Sequence, residues 1–111
     1  MRDREKLAQI KTLGQLVLDG RLAALERVSR ARQLSLDHLT ELNRPLLPPT
    51  DLSPVVAGEV AMRYQRWADQ RRTEINLTLA RQTAEWVEAR QDAAQAFGRN
   101  QALNGLIGRK R

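Results

Sequence analysis

Ser35, Asp37 and His38 are the residue types of an acyl-transfer triad, in which an imidazole takes the hydroxyl proton and a carboxylate orients the imidazole. On a helix their spacing defeats that use, because Asp37 and His38 point about 100° apart around the axis. A nucleophile also needs donors gathered around a developing oxyanion. The three therefore read as solvated polar residues of an amphipathic helix. His38 is the only histidine, and there is no cysteine. Disulfides and thiolate metal sites are excluded, and no His/Asp/Glu group has metal-ligand spacing. No glycine-rich phosphate loop is present. The expectation is a protein with no enzymatic activity, no catalytic residue, no metal and no cofactor.

Contact chemistry is better represented. Arg63-Tyr64-Gln65-Arg66-Trp67 interleaves arginines with aromatics, as nucleic-acid surfaces do. Tyr64 and Trp67 lie three apart on the apolar face, however, with Arg63 and Arg66 on a neighbouring one. Stacked bases require aromatics and cations on one exposed face, so core packing is the simpler reading. Trp86 falls among Ala89, Ala93 and Ala96, either packed in a core or beside an alanine strip open to another protein's helix. From Arg90 onward, arginines occupy one side and Phe97, Leu103, Leu106 and Ile107 another. An apolar stripe with a basic flank suits an acidic groove on a partner protein. The candidate partner-binding residues are Arg90, Arg99, Leu103, Leu106 and Arg109, with Trp86 and Ala93.

Two long helices must position these residues. The first is predicted over about 3–42, with Leu18, Leu22, Leu25, Val28, Leu36, Leu39 and Leu42 along one face and Leu7, Ile10, Leu13, Leu16 and Val17 before them. Gly14 and Gly20 should loosen or bend its first third. Pro45, Pro48 and Pro49 break the chain within a turn over 43–53. Leu46, Leu47 and Leu52 should cover its tip. Ser53 as N-cap and Pro54 at the first helical position then start a second helix over about 54–106, followed by a basic tail at 107–111.

Along that second helix, steps of three and four connect Ala68, Ile75, Leu79, Trp86, Ala89, Ala93, Ala96, Leu103 and Ile107, with Arg72, Gln82 and Asn100 filling the remaining slots. Val60, Tyr64, Trp67 and Arg71 form an earlier series, offset by one extra step of four, a stutter. A helix this long must lie along another. The short turn makes the pair antiparallel, so the predicted fold is all-α: a single domain, two long helices in an antiparallel coiled-coil hairpin. Their unequal lengths should leave the basic C-terminal segment overhanging, and Gly98, Gly105 and Gly108 should let that end fray.

Composition agrees with a thin seam rather than a thick core: 41% of the 111 residues are apolar, 4% aromatic and 29% charged. No apolar run approaches a bilayer span, and Met1–Lys6 mixes both charges without a signal-type core, which predicts a cytoplasmic protein. The net charge of +6 is uneven. Residues 1–42 carry eight basic and six acidic side chains, residues 60–111 ten and five, and no acid follows Asp92. Such an end attracts acidic partners.

In its ending the chain resembles the FliJ/YscO family, the stalk proteins of flagellar and type III secretion export machines. Arg90, the spaced alanines Ala93 and Ala96, Arg99, the leucines Leu103 and Leu106, and the Arg109-Lys110-Arg111 terminus fall on that family's pattern. The resemblance implies a non-enzymatic antiparallel coiled coil that enters the ring of the export ATPase, contacts the export gate and escorts export chaperones. From the residues alone, two other readings stay open: a basic nucleic-acid-binding protein, and a self-associating homo-oligomeric helical bundle.

Overall fold

The computed structural model describes residues 2–46 and 51–109. Leu47, Pro48, Pro49 and the terminal Lys110 and Arg111 of the basic tail lie outside them. Two helices account for nearly all of it, α1 at Arg2–Leu42 and α2 at Pro54–Arg109, and the described residues form no strand. The all-α helical hairpin is therefore the fold. Contacts divide it into two units, Met1–Arg30 with Thr83–Arg111 (unit 1) and Ala31–Gln82 (unit 2). Two side-by-side helices touch only at matching levels, so no central core ties one level to another.

Within unit 1, Asn100 Nδ2 donates to Gln15 Oε1 at 3.0 Å, and Arg21 reaches Asp92 at 3.8 Å. Within unit 2, Ser35 Oγ donates to Gln82 Oε1 at 2.6 Å, and Arg72 Nε donates to Asn43 Oδ1 at 3.1 Å. In both units residue numbers rise on one helix as they fall on the other, the signature of antiparallel packing. The buried line on α2 follows the predicted steps. Ala68, Ile75, Ala89, Ala93, Ala96 and Asn100 are buried, and Arg72, Leu79, Gln82, Trp86, Leu103 and Ile107 are half-buried between them. The extra step of four falls at Tyr64–Ala68–Arg72, slightly before its predicted place.

On α1 the seam is less apolar than expected. Gly14, Leu18, Leu25, Val28, Arg32, Ser35, Leu39 and Leu42 face inward, while Leu22 is exposed. The first third of α1 is unbroken, and Gly14 has a packing role there. A Cβ on it would sit 3.1 Å from Asn100 Oδ1 and 3.2 Å from Leu103 Cδ1, so the missing side chain is what lets α2 approach. Gly20 faces open space. At the other end α2 stays helical to Arg109 through all three of its late glycines, because Asn100, Leu103 and Ile107 dock against α1.

Ser53 caps α2 as predicted: its Oγ accepts the Val56 amide at 3.3 Å, and its carbonyl accepts the first helical bond, from Ala57, at 2.9 Å. The expected apolar tip does not form among the described residues, since Leu46 and Leu52 are exposed.

The overhang is on the other end from the one predicted. Arg72 lies level with Asn43, one residue past the last turn of α1. α1 therefore ends short of the N-terminal turns of α2, and its last residues reach along α2 as far as the hollow that His38 and Leu42 line with Trp67 and Arg71. At the basic end, Gly14 already faces Leu103, so α1 reaches past the last turn of α2. Trp67, beside the end of α1, is 53% exposed, and the core role expected of it does not hold.

Candidate protein-docking site

Seam positions divide each helix into two flanks. In an antiparallel pair of right-handed helices, the residues immediately preceding seam positions fall on the same side of both. In unit 1 these are Ile10, Leu13 and Val17 on α1, before seam positions 11, Gly14 and Leu18, and Arg99, Ala102 and Leu106 on α2, before Asn100, Leu103 and Ile107. All six are exposed, Leu13 by 61% and Leu106 by 49%. Because Gly14 faces Leu103, Ile10 lies one turn further along, level with Leu106. Lys6 precedes seam residue Leu7 and lies on the same flank. The result is an exposed apolar surface built by both helices, with Lys6 and Arg99 at its edges.

The sequence-predicted binding residues are thus not one site. Arg99 and Leu106 belong to this flank. Leu103 and Ala93 sit in the seam between the helices, and Ala89, Ala93 and Ala96 are covered by α1. The alanine strip is occupied within the chain, and an external helix has no access to it. Arg90 and Trp86 lie toward the opposite flank, where the Arg90 guanidinium stands 4.8 Å from the centre of the half-buried Trp86 ring. That geometry is a cation–π contact. Arg109 is exposed on the last turn of α2, away from both. Ile10, Leu13 and Val17 were missed because α1 carries apolar residues on several sides there, and spacing alone favoured none.

The remaining candidates separate in the same way. Ser35 is buried in the seam against Gln82, Asp37 Oδ1 accepts from Gln33 Nε2 at 3.0 Å, and His38 lines an open hollow with Glu41, Leu42, Trp67, Arg71 and Ile75. These three side chains share no face. Among the described residues no group of three or more His, Asp and Glu side chains could hold a metal, and no helix is long and apolar enough to cross a membrane.

No family model, curated protein or solved structure matches the chain. What can be inferred about its role therefore comes from its own surface.

Proposed function

We propose that this chain is a non-enzymatic docking protein that presents the Ile10/Leu13/Val17/Leu106 flank of unit 1 to an acidic surface of a protein partner. The observation carrying this reading is the joint exposure of those four apolar side chains beside Lys6 and Arg99. A contiguous apolar surface with a charged edge is what interaction sites present, and the cationic edge selects for an acidic counterpart. The FliJ/YscO resemblance of the ending supplies the partners to test first: the export ATPase ring, the export gate and the export chaperones, in the cytoplasm. A stalk coupling the ATPase to the gate acts by contact alone.

The test is capture of the purified export ATPase by the immobilised chain. Apolar anchors at the centre of an interface contribute about 2 kcal/mol or more each, so Leu106→Glu with Arg99→Glu should weaken capture by more than tenfold. Phe97→Glu, on the opposite flank, should leave it intact. Equal capture by all three proteins would remove the reading. A shift of nucleic acid in gels that weakens steeply with salt would replace it with phosphate contact.

A further inference from the structure

Along its length the unit 1 flank changes from large side chains to small ones. Gly20 precedes Arg21, which reaches Asp92 across the seam, and Ala24 precedes Leu25, so both continue the row of Ile10, Leu13 and Val17 on α1. Gln95 and Asp92 stand at about the same levels on α2 and continue the row of Leu106, Ala102 and Arg99. Gly20 is exposed, and a Cβ built on it would meet nothing within 4 Å. Unlike Gly14, it brings no α2 side chain closer, and an interior glycine lowers helix stability. What its missing side chain creates is a low point in the row, between Val17 and Ala24.

The flank has the shape and length for a third helix. Two packed helices lie about 8–10 Å apart, and the row from Ile10 to Ala24 runs for about 21 Å, or four turns. An extended segment would gain little here, because α1 and α2 bond their amides internally and present no sheet edge. A helix brings its own backbone bonds and needs only side-chain contacts. Charge narrows the choice of helix. Lys6 and Arg27 on the α1 side and Arg99 on the α2 side are exposed, and among the described residues none of them joins an ion pair. Between the levels of Lys6 and Arg27 the flank's acids are Asp92, which Arg21 engages, and Glu88. Three unpaired cations against one unpaired acid call for acidic side chains on both edges of the occupant.

We infer, resting on the docking role proposed above, that this groove receives a single amphipathic α-helix of a protein partner. The guest is about four turns long, carries acidic residues along both edges and seats a large apolar side chain over Gly20. Its smaller apolar residues lie against Ile10, Leu13 and Leu106, so that bulk on one side meets its absence on the other, as ridges meet grooves. The change from large to small along the row sets where the guest sits. A helix of this length buries on the order of 1,000 Å² in total, the size of a transient interface, which places the dissociation constant in the micromolar range.

A fluorescein-labelled synthetic peptide of about 18 residues, apolar at helical spacing with glutamates on both edges, should bind the purified chain in that range by fluorescence anisotropy. It should gain helical circular dichroism on binding. A lysine-for-glutamate version and a version with proline at its centre should each bind about tenfold more weakly or worse. Gly20→Leu, which fills the low point, should weaken binding about tenfold or more with the helical circular dichroism of the free chain retained. Because that variant adds apolar surface to the flank, a patch that merely attracts apolar groups would bind the peptide more tightly instead. Leu106→Glu should weaken the same peptide. Full binding by Gly20→Leu alongside loss in Leu106→Glu would overturn the helix-in-groove arrangement and leave the docking flank standing, whereas full binding by both would remove the flank as well. Equal binding of the proline or lysine version, or no binding of the glutamate peptide at about 500 µM, would also overturn the inference. So would sedimentation showing that the chain alone forms a dimer that Gly20→Leu dissolves, which would make the occupant a second copy.

Discussion

Asn100 is the least comfortable residue of the seam, and replacing it with leucine should make the protein more stable. The side chain is 7% exposed; its amide donates to Gln15, while its Oδ1 is buried without a partner. An unsatisfied buried acceptor costs about 1–3 kcal/mol, and the bond to Gln15 returns only about 1 kcal/mol. Leucine places two methyl groups where the amide oxygen and nitrogen stand, and the neighbour across the seam is Gly14, which has no side chain to crowd them. Gln15 is exposed, so its oxygen recovers a water. The balance favours Asn100→Leu by about 1–2 kcal/mol. Ser35 supplies the opposite case. It is buried too, but its hydroxyl donates to Gln82 at 2.6 Å. Ser35→Ala leaves the half-buried Gln82 oxygen without that donor and should cost about 1 kcal/mol. Urea unfolding followed by circular dichroism measures both, with midpoints moving in opposite directions. A lower midpoint for Asn100→Leu, or the same sign for both variants, would refute the assignment of Asn100 as a net cost.

Two further stability changes follow from the backbone. Gly20→Ala, into open space, should raise stability by about 1 kcal/mol through helix propensity. Gly14→Ala should gain nothing, because its Cβ crowds Asn100 and Leu103; equal gains at both sites in the same urea assay would show that the helices do not approach closely there. Ser53→Ala removes the cap of α2 and should cost about 1 kcal/mol, seen as a lower thermal midpoint. An unchanged midpoint would mean that the start of α2 is held by the proline at position 54 alone.

The hairpin was legible because its signals are strong and local: prolines that no helix crosses, a capping serine, and steps of three and four held from Ala68 to Ile107. The seam of α1 was harder. Gly14, Arg32 and Ser35 occupy inward positions that an apolar pattern assigns elsewhere, which is why Leu22 seemed a seam residue and is exposed. Close approach at a glycine and a paired hydroxyl both satisfy a thin interface, and neither appears in a hydrophobicity pattern. Register between helices was not legible at all. It depends on which levels meet across the pair, and a shift of either helix moves the overhang from one end to the other. For that reason the turns beyond the reach of the partner helix appeared at the start of α2 rather than at the basic terminus. The docking flank mixed both outcomes: Arg99 and Leu106 stood out in an acid-free segment, whereas their α1 neighbours became a surface only once the pair was aligned.

The described ends of the chain, Arg2 and Arg109, leave unit 1 at the same extremity. Tension applied there would peel the helices apart turn by turn instead of shearing them. Alanine contacts surrender little area per turn, and among the described residues Leu18 is the only large aliphatic side chain buried in that stretch. Resistance would be low and almost even, with the Gln15–Asn100 clasp its first catch. A hairpin with such a seam can yield to a modest mechanical load and close again without losing its alignment farther in.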